Sequence, residues 1–158
     1  MSQQLEVSLT VKQPREEVFS YFADAGNLER LTPPELHFRL LTSRPITMFA
    51  GALIDYRLQL FGVPFAWQTL ISRWEPPACF VDEQLRGPYR KWVHTHLFRD
   101  VAGGTEIIDR VDYQLPLRPL GHLVQWPVAR QLERIFSFRQ QVLKELFSAG
   151  RRTDDDQT

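Results

Sequence analysis

In the run Tyr89-Arg90-Lys91-Trp92-Val93-His94-Thr95-His96-Leu97-Phe98, every second residue from Trp92 onward is an aromatic or imidazole ring. Such alternation marks a β-strand with two unlike faces, because successive side chains point to opposite sides of a sheet. Gly87-Pro88 turns into this run from residues 79–84, and Ala102-Gly103-Gly104 turns out of it into residues 105–115, which predicts an antiparallel meander of three strands. The turns also set the register. With the first hairpin pivoting at Pro88, Gln84 faces Trp92, Asp82 faces His94 and Phe80 faces His96. With the second pivoting between Ala102 and Gly103, Phe98 faces Ile107, His96 faces Asp109, His94 faces Val111 and Trp92 faces Tyr113. One face of the meander thus gathers two His–Asp pairs inside a ring of Trp, Tyr and Phe, the wall expected of a small-molecule pocket. On the other face Arg99 opposes Glu106, Leu97 opposes Ile108 and Val93 opposes Asp112, a mixture suited to partial contact with water.

The rest of the chain supplies the partners of this wall. Leu5-Glu6-Val7-Ser8-Leu9-Thr10-Val11 alternates apolar and polar residues and predicts a half-buried edge strand. Pro14 stands where a first helical residue belongs, Glu16 and Glu17 suit the positive end of a helix dipole, and Val18, Phe19 and Phe22 recur at helical spacing. Asp24-Ala25-Gly26 breaks that helix, residues 27–31 add one more turn, and Thr32-Pro33-Pro34 stops the chain, so two short helices are expected to lie as a lid. From Leu36 onward the period is two: residues 37–41, 52–60, 64–74, 79–85, 89–99 and 105–115 read as strands. Ile54, Tyr56, Leu58 and Leu60 share one face of the second of these, and Phe65, Trp67, Thr69 and Ile71 one face of the third. Trp74, opposite in parity to Trp67, is expected on the outer face or at a strand end. Pro119-Leu120-Gly121 then opens a helical region, and Pro127 as a first helical residue leads into Val128, Leu132, Ile135, Phe136, Val142, Leu143, Leu146 and Phe147 on one stripe. Arg139 interrupts this stripe, either as a stem that packs while its head reaches water or as the partner of an interior or rim carboxylate.

One strand, two short helices, six strands and a long helix make an α+β chain in which a curved seven-stranded antiparallel sheet must be covered by the last helix. A cylinder fills a bent trough unevenly, so the space near the helix's N-terminal half requires large side chains or a guest. The 4 Trp, 4 Tyr and 11 Phe suit either purpose. A length of 158 residues fits a single domain, expected over 1–149, with the polar stretch 150–158 as a disordered tail. Lysine plus arginine number 19 and aspartate plus glutamate 19, so no net field steers the protein toward nucleic acid. The lone cysteine, Cys79, has no partner for an internal disulfide and reads as a small buried hydrophobe. Neither a leader peptide nor a run of about 20 apolar residues is present, so no membrane span is predicted and a cytoplasmic protein is expected.

The order of elements, together with Phe80-x-Asp82-x-Gln84-x-x-Gly87-Pro88-Tyr89-x-x-Trp92-x-His94-x-His96-x-Phe98, Gly104-Thr105 and Asp109-x-Val111-x-Tyr113-x-Leu115-Pro116, resembles the START/Bet v 1-like superfamily, also called SRPBCC or helix-grip proteins. It is most similar to the bacterial polyketide cyclase/dehydrase-like branch, from about Leu5 to Phe147, with 80–116 the most specific part. The resemblance implies a seven-stranded sheet gripping a C-terminal helix, with two short helices between the first two strands. It also implies a deep apolar tunnel for lipids, polyketides or other hydrophobic molecules. No single reaction follows, since members include carriers, sensors, cyclases and domains attached to epimerase-like enzymes.

The candidate ligand-binding residues are Tyr56, Trp67, Phe80, Asp82, Gln84, Trp92, His94, His96, Phe98, Asp109, Val111 and Tyr113 of the sheet, with Leu132, Ile135 and Phe136 of the helix. Asp82, His94, His96 and Asp109 are also the candidate catalytic groups. The plainer reading of these four is structural or ligand-orienting, because an unpaired polar group in an apolar wall costs about 1 to 3 kcal/mol. The sharper reading is acid–base chemistry, since a His held by an Asp can serve as the general base of an aldol-type cyclisation or dehydration. His94 and His96 project about 7 Å apart, a spacing open to metal ligation, but each already has its own Asp opposite, so neither a metal nor another cofactor is expected. No nucleophile motif, phosphate loop or dinucleotide fingerprint occurs, which leaves covalent, phosphoryl and hydride transfer without a foothold. Binding of a hydrophobic small molecule is therefore the leading function, with a cyclase/dehydratase and a protein-interaction domain as alternatives. Met48-Phe49 is expected as an exposed apolar tip suited to a lid or a protein partner, His37 and His122 as surface residues, and the protein as a monomer or weak homodimer.

Overall fold

The structure, a computed structural model, describes residues 2–116 and 121–149, without the side chains of 121, 122 and 149. The expected tail at 150–158, the opening Pro119-Leu120 and the side chain of His122 lie outside the described residues. The elements are β1 (Gln3–Val11), α1 (Arg15–Ala23), 3₁₀ turns at Ala25–Leu28 and Pro34–Leu36, β2 (Arg39–Leu40), β3 (Leu53–Leu60), β4 (Val63–Glu75), β5 (Cys79–Arg86), β6 (Lys91–Val101), β7 (Gly104–Gln114) and α2 (Gly121–Ala149). They form a seven-stranded sheet in the order β1-β7-β6-β5-β4-β3-β2, antiparallel throughout, so the predicted edge strand β1 closes one side and the two-residue β2 the other. This is the α+β architecture expected from the alternation of periods. Among the described residues no helix is long and apolar enough to cross a membrane.

The predicted hairpin registers hold. Phe80 pairs with His96 and Asp82 with His94 across β5 and β6. Trp92, His94, His96 and Phe98 pair with Tyr113, Val111, Asp109 and Ile107 across β6 and β7. The β5–β6 ladder ends at Glu83 and Val93, one step short of the expected Gln84–Trp92 pair. Instead the Gln84 amide donates to the Tyr89 carbonyl at 2.7 Å and accepts from the Tyr89 N–H at 3.2 Å, because an amide carries both functions and the open turn leaves both backbone groups free. At the β1–β7 end, a Cβ on Gly104 would sit 1.9 Å from the Val11 carbonyl oxygen, so only glycine lets the two strands approach there.

Two expectations are corrected. The register of β4 against β5 shifts between Ile71 and Arg73, which inserts an extra residue and reverses the parity beyond it. Trp74, next to last in β4, does lie at the strand end, but it turns inward and packs on Phe19 at 5.2 Å and Phe80 at 5.6 Å between ring centroids rather than covering the outer face. Pro127 lies inside α2, which starts six residues earlier at Gly121; proline there costs one bond to the carbonyl four residues back without ending the helix. The apolar stripe does run as predicted, with Leu132, Phe136 and Leu143 buried. Its two halves do different work. Leu132 and Phe136 join Trp67, Val111 and Tyr113 in one core cluster, whereas Leu143 joins Phe19, Phe22, Phe80 and Phe98 in another beneath α1.

Candidate functional site

A pocket of about 130 Å³ lies between the inner faces of β3–β6, the middle of α2 and the segment running from the end of α1 to β2. Strand periodicity delivers its sheet wall: Tyr56, Trp67, Phe80, Asp82, Trp92, His94 and His96 all face it, and Leu132, Ile135 and Phe136 face it from α2. Five other candidates lie off its lining. Gln84 holds the β5–β6 turn, and Phe98 is 1% exposed beneath α1. Val111 and Tyr113 pack under α2, and Asp109 sits behind the imidazoles. Several lining residues carried no signal in a single strand's pattern, among them Phe38, Met48 and Tyr89, which reach the pocket only because loops and turns fold over it. Met48 is thus turned inward while its neighbour Phe49 stays exposed.

On the pocket wall His94 and His96 stack with ring centroids 3.7 Å apart, and Phe80 stacks on the other side of His96 at 4.0 Å. Directly opposed backbone positions would pair His94 with Asp82 and His96 with Asp109. The rings lean along the strand to stack, and their Nε2 atoms cross to the diagonal carboxylates instead: His94 to Asp109 at 2.8 Å and His96 to Asp82 at 2.8 Å. The directly opposed contacts survive as weaker ones, His94 Nδ1 to Asp82 at 3.7 Å and His96 Nδ1 to Asp109 at 3.0 Å. The last is short but out of line for a hydrogen bond, so it acts as an ion contact. Arg139 completes the group from α2. Buried to 8% exposure, it lies 3.9 Å from Asp109, with its guanidinium 5.1 Å from the centre of the Phe136 ring.

Charge is shared unequally between the two rings. Burial pulls the His96 pKa down, but Asp109 and Asp82 outweigh it and leave the pKa raised above the ordinary 6.5. For His94, burial and then the neighbouring His96 charge win over the two carboxylates, and the pKa is lowered. The physical reason is that two adjacent imidazoles repel when both are charged, and His96 has both acids within 3.0 Å whereas His94 has Asp82 only at 3.7 Å. Burial alone would raise Asp82 and Asp109; the imidazoles, helped at Asp82 by Arg139, more than reverse this and hold both below the usual carboxylate range. Burial keeps the Tyr56 and Tyr89 phenols protonated, with pKa values raised. The wall thus sets an imidazole that gives up its proton more readily beside one that holds it more firmly, a pair able to orient a polar group or to move a proton. Asp82, His94 and His96 also offer ligand atoms within 4.8 Å of one another, the set that would hold a divalent cation if one bound here.

Solved structures of other proteins share this architecture. TTHA0849 from Thermus thermophilus superposes with a TM-score of 0.76 at 15% identity, covering 94% of this chain and 99% of that one. The Zhui aromatase/cyclase from Streptomyces sp. R1128 gives 0.75 at 13% identity, covering 94% of each chain. This is the helix-grip fold. A nucleoside-diphosphate sugar epimerase from Corynebacterium glutamicum contains the same helix-grip unit, with a TM-score of 0.67 at 28% identity over 89% of this chain but only 28% of the longer one. No protein-family model matches the sequence, nor does any curated protein.

The buried quartet gives this helix-grip domain a testable pH profile. Raised in the folded state, His96 contributes stability that is complete below 6.5 and fades as pH climbs through its folded pKa. Lowered His94 contributes stability that is complete above 6.5 and fades as pH drops below it. Depressed Asp82 and Asp109 contribute above their ordinary 3.8 and are lost as pH falls further. Urea midpoints across the range are therefore expected to crest near pH 6.5, and His96→Gln to flatten the alkaline limb. A profile flat through neutrality would contradict this sharing of charge.

Proposed function

We propose that this domain binds a hydrophobic small molecule between the sheet and α2, with the polar end of the guest meeting the Asp82–His94–His96 wall. The observation that carries this reading is the coincidence of one aromatic-lined pocket with the buried polar cluster of the sheet. A core that needed only stability would place apolar residues there, since burying four ionisable groups and a guanidinium is expensive however well they are paired. The structural likeness to an aromatase/cyclase supports a ligand-holding role and favours the polyketide cyclase-like branch. Native mass spectrometry of gently purified protein is the direct test, with a reproducible adduct that Leu132→Trp, a plug for the pocket, displaces. Protein that carries no adduct and quenches with no apolar probe would remove the proposal.

A second reading, cyclisation or dehydration of a bound ketide, is favoured by two adjacent carboxylate-bound imidazoles whose pKa values are pushed apart, His94 down and His96 up. In it His94 removes a proton next to a carbonyl and His96 returns one to the departing oxygen. Turnover of a ketide that persists in the His94→Ala, His96→Ala double variant would exclude it.

A further inference from the structure

The dimensions of the pocket and its unmatched donors narrow the class of guest, and this step rests on the binding reading above. A void of about 130 Å³ is slightly smaller than the roughly 150 Å³ apolar cavity that admits benzene. One ring fits; a fused polycycle or a long acyl chain requires displacing side chains from a core packed as densely as a crystal. The walls are flat where a ring would lie. Tyr56 and Trp67 are near-parallel, 15° apart with centroids at 5.8 Å, and Phe38 packs on Tyr56 at 4.9 Å.

The polar inventory of this wall is lopsided. Asp82 and Asp109 each take a 2.8 Å hydrogen bond from an imidazole on one carboxylate oxygen. Among the described residues three nitrogens of this wall are buried with no hydrogen-bond partner: His96 Nδ1, which keeps its ion contact with Asp109, and the donors Trp67 Nε1 and Arg139 Nε. Neither of these two donors can accept, and the Arg139 contact with Asp109, at 3.9 Å, is beyond hydrogen-bonding distance. Leaving a buried N–H unmatched costs stability that a guest supplying an acceptor oxygen would recover.

We infer that the pocket is built for a single-ring aromatic compound bearing a carbonyl or carboxylate oxygen, the ring lying against Tyr56 and Trp67 and the oxygen accepting from Arg139. The test is a set of calorimetric titrations with toluene, acetophenone, benzoate, 2-naphthoate and laurate on the full chain, the Arg139→Met variant and the Trp67→Phe variant. Acetophenone or benzoate is expected to bind at least about tenfold more tightly than toluene, with acetophenone against benzoate separating a neutral from a charged oxygen. Arg139→Met is expected to erase the margin of the oxygenated probes over toluene; Trp67→Phe, which keeps a ring and loses the N–H, is expected to shrink it and stands alone if the first variant does not fold. Toluene binding as tightly as its oxygenated analogues overturns the inference. So does laurate or naphthoate binding more tightly than the single rings, although the broader binding reading then survives. If no probe of any size binds, both fail together.

Discussion

Asp109→Ala is expected to destabilise the domain by about 3 to 5 kcal/mol, the cost typical of removing one partner from a buried charge group. Asp109 is 4% exposed and lies within 3.0 Å of nitrogens from both imidazoles, with Arg139 nearby. Removing it leaves Arg139 and a protonated His96 in the interior with Asp82 as the remaining carboxylate of the group. The protein can shed part of this cost by deprotonating His96, so the raised pKa should collapse and the crest in the pH profile vanish. Urea unfolding at neutral pH measures the first effect and the same series at varied pH the second. Asp109→Asn, which keeps the shape and a hydrogen-bonding oxygen, should lose less. A loss below about 1 kcal/mol for the alanine variant would mean that the cluster is far better solvated than its burial implies.

Phe136→Ala is expected to cost about 3 to 5 kcal/mol for a different reason, the removal of a fully buried ring. Phe136 is 1% exposed, meets His94 edge-on at 5.4 Å and supports the Arg139 guanidinium on its face. Truncation therefore enlarges the pocket and unseats both polar groups at once. Because the new void is continuous with the existing one, a ring-sized guest should restore part of the lost melting temperature in this variant and shift it more than in the unaltered protein. A melting temperature within about two degrees of the parent would show that α2 collapses into the gap, which its packing on Trp67 and Tyr113 opposes.

How far the fold could be read from residues alone depended on the range of the forces involved. The strands and their register were legible because alternation and turn chemistry act over a few residues; Gly87-Pro88 and Gly103-Gly104 sufficed to bring Asp82, His94, His96 and Asp109 onto one face. Trp74 was legible as a strand-end residue but not in its inward direction, because a bulge at Ile71–Arg73 shifts the parity of its strand and nothing in the local pattern announces the extra residue. Pro127 was read as a helix start because local preference favours proline there, whereas α2 tolerates it internally. Gln84 was read as part of the wall because it has the right parity, yet free backbone groups at Tyr89 claim its amide.

By itself, then, the sequence determined which rings and acids share a surface, because side-chain direction along an extended chain obeys a period of two. Only the tertiary structure decided that the imidazoles stack and exchange carboxylates, that Arg139 joins them from a helix remote in the chain, and that the space left over is about the size of one ring. Those outcomes depend on how far side chains lean and how closely α2 presses on the sheet, and such packing is settled by contacts between segments distant in sequence rather than by any local rule.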